Sequence, residues 1–262
     1  MTAYLRGRHA VVTGGGGGLG RAIAGALSAE GAAVTVMGRT RGALDDAAAA
    51  LGRVSGGRAE AVVCDVTDAG SVERAFAAAV EALGPVSVLV NNAGYSAASA
   101  IEEATLESWQ RTLAVNLTGA FLCIQQVLPA MRSAGGGRII NIASSAGLRG
   151  YARVAAYCAS KHGLVGLTRS VAAETAGSGI TVNAVCPDYI EDTPMLQAAI
   201  ENVSRATGKS PADARATIER RAPGGAFVTK RHVADAVLEL CAADAFRVSG
   251  QTIVVAAGEV AP

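Results

Sequence analysis

Two stretches of this 262-residue chain combine residue types and spacings that could do chemistry. Tyr157-Cys158-Ala159-Ser160-Lys161 sets a phenol and a primary amine four residues apart, and on a helix positions i and i+4 share one face. With five tyrosines and three lysines in the chain, a chance Tyr-x-x-x-Lys is expected only about 0.06 times, so coincidence is a weak explanation. Ser144 stands thirteen residues upstream, where a lone serine could equally cap a helix or turn. Asn116 interrupts the apolar positions Leu113, Val115 and Leu117, and a capping or kinking role is its plainer reading. The second stretch is Thr13-Gly14-Gly15-Gly16-Gly17-Gly18-Leu19-Gly20. Glycines let a backbone turn tightly against a pyrophosphate, whose charge is met by the free N–H groups of a helix start. A flexible turn without ligand is the alternative, and the spacing T-G-x-x-x-G-x-G differs from the common G-x-G-x-x-G. Placement between a strand and a helix favours a dinucleotide. Asn91-Asn92-Ala93-Gly94 ends another apolar run, where an Asx turn is a plausible reading.

The elements that must position these residues follow from the pattern. Runs 9–13, 33–37, 59–64, 87–91, 138–142, 180–185 and 252–255 read as strands. Most are continuously apolar, as expected for strands covered on both faces. Between them, 20–30, 41–51, 71–83, 105–133 (broken near Asn116), 152–176 and 231–241 read as helices rich in Ala, Leu and Glu. Strand–helix alternation demands crossover connections. The expectation is an α/β fold: one doubly wound, Rossmann-type domain over 1–262 with a mainly parallel seven-stranded sheet. The segment at about 188–225 holds no strand and is a candidate lid, because ligands in such sheets lie beyond the carboxyl ends of the strands.

Composition removes several function classes. Lys and Arg number 23 against 22 Asp and Glu, a net charge of +1, so the strong basic bias of a dedicated nucleic-acid binder is absent. Hydrophobic residues at 50% exclude disorder, and only 17% are charged. So few charges cover little surface, which hints at a homo-oligomer. The first fourteen residues show no secretory pattern, and glycines and charges interrupt every apolar run that could span a membrane. Five scattered cysteines without a C-x-x-C pair suit a reduced, cytoplasmic protein. His9, His162 and His232 stand apart from other ligands, so no metal is expected. Ser145 in Ala-Ser-Ser-Ala-Gly misses the hydrolase G-x-S-x-G. Gly208-Lys209-Ser210 lacks the front glycine of a P-loop, which falls on Val203.

Taken together, the motifs resemble the short-chain dehydrogenase/reductase family along nearly the whole chain. The resemblance rests on T-G-x-x-x-G-x-G at Thr13–Gly20, Asp65 after the third strand, N-N-A-G at Asn91–Gly94, Asn116, Ser144, and Y-x-x-x-K at Tyr157–Lys161. It implies an NAD(P)-dependent carbonyl reductase or alcohol dehydrogenase with Asn116, Ser144, Tyr157 and Lys161 as its catalytic four. It also implies cofactor contacts from Gly14, Gly16, Gly17, Gly18, Leu19, Gly20, Arg39, Thr40, Asp65, Val66, Asn92, Ala93, Gly94, Tyr157, Lys161, Pro187 and Ile190, with Asp65 toward the adenine. A dinucleotide sensor without catalysis is the competing class. The complete catalytic set argues against it.

Elementary chemistry agrees with these roles. Ketone reduction needs hydride at carbon and a proton at oxygen, and a phenol with an ordinary pKa near 10 is a sluggish acid/base at neutral pH. A lysine ammonium one turn away, with the charge of an oxidised nicotinamide, is expected to lower that pKa. Ser144 would hydrogen-bond the oxygen as negative charge develops. Lys161 would also hold the nicotinamide ribose, and Asn116 would support a water linking Lys161 to solvent. At the end of the second strand Gly38 occupies the place of the acidic residue that takes the ribose 2′-OH in NAD sites. Arg39 follows, with Thr40 and Arg41 as helpers, so a 2′-phosphate and hence NADP is expected, NAD being the alternative. Two departures from the family pattern stand out. Pro187 is followed by Asp188 rather than glycine, with Thr193 six residues on rather than five; and Ala257-Gly258 replaces the usual glycine pair. Resemblance to 3-oxoacyl-thioester and acetoacetyl-CoA reductases and polyketide ketoreductases makes an acyl-CoA or related thioester a candidate substrate. Arg205, Lys209, Arg215, Arg220 and Arg221 could meet its phosphates, although a solvated face balanced by Glu201, Asp213 and Glu219 is the stronger reading. A cyclic, aryl or steroid-like ketone is the alternative. Family resemblance makes the oligomer a tetramer. No nucleic-acid or membrane partner is expected.

Overall fold

A strand that is apolar along its length has no face to turn to water, and the chain covers its central strands from both sides. The computed structural model describes residues 4–55 and 58–257. Its strands are β1 (His9–Thr13), β2 (Ala33–Gly38), β3 (Ala59–Val63), β4 (Val88–Asn91), β5 (Gly137–Ile142), β6 (Ile180–Pro187) and β7 (Thr252–Val255). They form one sheet in the order β3-β2-β1-β4-β5-β6-β7, and every neighbouring pair is parallel. The expected doubly wound α/β fold is thus observed, with the sheet parallel throughout. Gly258, the ends of the expected 1–262 domain and part of the N-terminal stretch lie outside the described residues.

Alternate side chains of each strand enter separate cores. Val12, Val36 and Val90 meet Ile23, Leu27 and Leu44 together with Val233 and Val237. These come from α1 (Gly18–Ala29), α2 (Arg41–Ser55) and α9 (Lys230–Cys241). Val11, Met37 and Leu89 meet Phe76, Ile124, Val127, Met131 and Val171 on the opposite face. Those belong to α3 (Ala69–Leu83), α5 (Gly119–Ser133) and α6 (Ala155–Glu174). The helix expected over 105–133 begins as α4 (Leu106–Leu113) and runs into α5. Its break near Asn116 is a π-helical widening at Ala114–Thr118, a one-turn irregularity that recurs at functional sites. Contrary to the sequence expectation, Leu106–Ser133 is long and apolar enough, by length and composition, to cross a membrane. In the fold it flanks the sheet, and Cys123, Ile124, Val127 and Met131 are core residues.

The chain winds outward from β1 through β2 to β3, then crosses back to begin again at β4. Strand order therefore reverses between β1 and β4, and their carboxyl ends open a crevice at which such sheets hold ligands. The strandless segment after β6 folds as α7 (Pro194–Thr207) and α8 (Pro211–Glu219). Leu196, Ile200, Ala214, Ile218 and Phe227 give it a small core of its own.

Candidate active site

The crevice at the strand reversal is floored by backbone. Gly14 takes φ +66°, a left-handed conformation that a side chain would strain, and a Cβ there would come within 2.9 Å of Asn92 Nδ2. At Gly20 a Cβ would collide with the Gly14 carbonyl oxygen and lie 2.6 Å from Asn92 Nδ2. Above Gly17 and Gly18 nothing stands within 4 Å of a built Cβ. Gly17 begins α1 without a side-chain cap, and the first turn carries no acidic residue. An open cradle ending in uncapped amides fits the pyrophosphate of a dinucleotide.

Two polar side chains hold the cradle against β4. The Thr13 hydroxyl accepts from the N–H groups of Asn92 at 3.0 Å and Ala93 at 3.1 Å. Asn92 Nδ2 donates to the Thr13 carbonyl at 2.9 Å and lies 3.4 Å from that of Gly14. Asn92 therefore braces the glycine loop from beneath. Thr13 received no role from its spacing, since the motif displays only that a threonine begins the loop; its bonds show that it ties the two halves of the crevice together.

Arg39 is exposed at the carboxyl end of β2 and Thr40 beside it is exposed as well. Asp65, past the end of β3, accepts from the Thr67 N–H at 2.9 Å and its hydroxyl at 2.7 Å. These bonds hold its carboxyl below the usual carboxylate value, and the charge of Arg39 adds to them. Val66 is buried next to it. Arg41, expected to assist Arg39, instead grips Asp45 at 2.9 and 3.0 Å.

On the other side of the crevice the fold gathers Ser144, Tyr157, Lys161 and Asn116. Ser144 follows β5, and its Oγ accepts from the Ala146 N–H at 3.1 Å, capping the turn Ser145–Gly147. Tyr157 and Lys161 occupy successive turns of α6, 8% and 3% exposed. The Lys161 ammonium lies 5.6 Å from the Tyr157 ring centroid and donates to the Ile142 carbonyl at 2.7 Å. Asn116, inside the π-helical turn, accepts from the Tyr95 N–H at 2.7 Å and donates to the Tyr95 carbonyl and to Ser160 Oγ at 2.8 and 2.9 Å. Ser160 Oγ donates in turn to the Tyr157 carbonyl at 2.7 Å. Both N–H donors of Asn116 are thus spent on protein, linking the loop after β4 to the start of α6.

The electrostatics depart from the expectation that Lys161 pulls the phenol pKa down. Burial pushes Tyr157 up to about 12, with the Ser144 hydrogen bond opposing, and pushes Lys161 down to about 8. Sequence spacing shows that the two groups are close but not that both leave water, and desolvation penalises each charged form.

The loop after β6 differs where its sequence departs from the family pattern. Pro187 ends the strand, and Ile190 bridges to Val228 in parallel. Asp192 takes a left-handed φ of 54°, which aspartate tolerates better than most residues. Thr193 spends its hydroxyl capping α7, accepting from the Leu196 N–H at 3.2 Å and donating to the Ile190 carbonyl at 2.8 Å. Asp188 meets Arg149, on the loop after β5, at 3.3 Å.

A family model described as short chain dehydrogenase matches residues 8–204. An actinorhodin polyketide ketoreductase variant crystallised with NADPH is 40% identical, with a TM-score of 0.92 and 98% of each chain covered. An NAD+-bound xylitol dehydrogenase is 30% identical with the same TM-score of 0.92, covering 97% of this chain and 99% of that one. The 2-(S)-hydroxypropyl-CoM dehydrogenase 3 of Xanthobacter autotrophicus is 36% identical over 261 residues, the full length of both.

Proposed function

The chain belongs to the short-chain dehydrogenase family, and from that premise we propose that Ser144, Tyr157, Lys161 and Asn116 are the machinery by which it interconverts a ketone and a secondary alcohol with NAD(P). The observation that carries the assignment is the convergence of a buried phenol and amine with the half-buried Ser144 hydroxyl at the carboxyl edge of the sheet. When bound, the reduced nicotinamide supplies hydride to the carbonyl carbon. The Tyr157 hydroxyl gives its proton to the carbonyl oxygen. Ser144 donates a hydrogen bond to that oxygen as charge builds on it. Lys161, one helical turn away, steadies the phenolate left behind. With Tyr157 at about 12 and Lys161 at about 8, neutral pH finds the phenol protonated and most of the amine charged. Those are the states from which reduction starts. Asn116 holds Tyr95 and, through Ser160, the first turn of α6 in register with these groups.

The cofactor is taken to be NADP: Arg39 stands where no carboxylate would repel a 2′-phosphate. Its contacts run along Gly14, Gly16, Gly17, Gly18, Leu19 and Gly20, then Thr40, Asp65, Val66, Ala93, Gly94, Pro187 and Ile190, with Asn92 acting from below. The chain is read as one domain, with 188–225 as the lid. For the substrate, a 3-oxoacyl thioester is the first reading, in keeping with the ketoreductase relatives. The basic side chains of the lid lend it little weight, because Arg215 pairs with Glu191 at 3.0 Å and Lys209 donates to Thr217 at 3.0 Å. A cyclic or aryl ketone is favoured instead by Tyr95, Tyr151 and Tyr189, which stand on the loops after β4, β5 and β6. Exposed Leu106, Trp109 and Phe121 along the α4–α5 helix support a homo-oligomer, read as a tetramer in the cytoplasm. The test is to follow oxidation of NADPH or NADH against acetoacetyl-CoA, simple ketones, and cyclic and aryl ketones. Turnover with NADPH and one of these classes is expected; no turnover with either cofactor across the panel overturns the reading.

A further inference from the structure

The Asp188 carboxylate is 5% exposed and faces the 43%-exposed side chain of Arg149, with Nη2 donating at 3.3 Å. Its other oxygen accepts from the Tyr189 N–H at 2.8 Å, and its own N–H donates to the Val255 carbonyl of β7 at 3.1 Å. Arg149 Nε donates to the Tyr151 hydroxyl at 2.8 Å. That hydroxyl lies 2.8 Å from Ser145 Oγ, next in sequence to Ser144. The Tyr151 ring and Val154 pack on a buried cluster of Ala146, Tyr157 and Cys158. A chain of hydrogen bonds therefore runs from Asp188, which replaces the usual glycine after β6, to Ser145, and the packing of Tyr151 carries it on to the wall that holds Tyr157.

We propose that Asp188 is a positioning residue that sets Tyr157 and Ser144 for proton transfer through Arg149 and Tyr151. This rests on the catalytic assignment made above and deepens it. A carboxylate withdrawn from water is held in place by its partners, since leaving that charge unpaired is costly. A guanidinium is the one side chain that can join a carboxylate and a phenol with fixed donors on adjacent nitrogens. Pinning Tyr151 at both its hydroxyl and its ring confines the face against which Tyr157 rests, and small misplacements of a reacting group lower turnover steeply.

The test compares Asp188→Asn, Arg149→Gln, the double variant, and Tyr151→Phe, which keeps the ring and its packing while removing the hydroxyl. Turnover with a ketone from the panel is expected to fall about tenfold in each single variant, with NADPH affinity unchanged. The double variant should be no slower than the slower single, as expected of groups acting in one chain. Parent-like kcat in Asp188→Asn or in Tyr151→Phe, or losses that multiply in the double variant, overturns the proposal. Thermal unfolding of the same four proteins separates this from a failure of the functional reading. If the parent reduces no carbonyl compound, the catalytic assignment falls, and coupled losses of Tm between positions 149 and 188 uphold the linkage while additive losses remove it.

Discussion

The glycine cradle follows β1 and the α7–α8 segment follows β6, both leaving the carboxyl edge of one sheet, and they are built on opposite principles. The cradle is main chain: Gly14 and Gly20 admit no Cβ, and Thr13 and Asn92 lock it to β4 through backbone atoms. The segment after β6 is side chain: α7 and α8 close on Leu196, Ile200, Ile218 and Phe227, with Arg215 bridging to Glu191 and lying 4.8 Å from the Phe227 ring centroid. In the proposed reading, backbone meets what every dinucleotide has in common. Side chains can be exchanged without disturbing the sheet, which suits the part of a protein that must choose among ketones.

Several measurements would break or sharpen this contrast. The largest effect belongs to neither region but to α6. Tyr157→Phe removes the proposed proton donor and keeps the ring, so turnover should fall at least about 10²-fold while NADPH affinity barely changes; turnover kept in that variant would remove the assignment. Gly20→Ala comes next. Its methyl would collide with the Gly14 carbonyl, and overpacking of this kind costs about 1–3 kcal/mol. NADPH binding measured by fluorescence should weaken roughly tenfold or more. Gly17→Ala, with open space around its Cβ and an extended backbone, should leave binding within about threefold. Equal losses in the two would contradict a cradle built from close backbone contacts.

Arg39→Ala should erase about tenfold of the preference for NADPH over NADH in kcat/KM, the value of one charge-assisted contact. A variant that loses nothing with NADPH, or a parent that uses NADH equally well, would sink the NADP reading. The smallest change is expected from Arg215→Gln. Its pair with Glu191 is half-exposed, worth at most about 1 kcal/mol, so KM for the carbonyl substrate should move by no more than roughly fivefold and cofactor affinity not at all. A cofactor defect in that variant would show that the two regions are not independent.

The central strands were legible because continuous apolar runs have one physical outcome, burial on both faces, which β1, β4 and β6 show at every position. The Tyr157–Lys161 pair was legible because helical periodicity alone puts i and i+4 together. The Arg149–Asp188 bond joins residues 39 positions apart, a distance at which no local pattern speaks. Asp188 could be recognised from its chain position only as a departure from the family pattern. Asp192 gave no sign of its left-handed backbone either, since its conformation is imposed by the ends of the loop it closes.

The amino-acid sequence alone determined the mainly parallel architecture, the place of the glycine cradle between the first strand and the first helix, and the set of groups available for chemistry, because each depends on short-range sterics, periodicity or side-chain type. The three-dimensional fold decided what those groups are worth. It drew Tyr157 and Lys161 out of water together, so that burial rather than their mutual attraction governs both, and spent Asn116 and Thr193 on internal bonds. Protonation and hydrogen bonding respond to everything packed around a group from every direction, and that surrounding is assembled from segments distant along the chain.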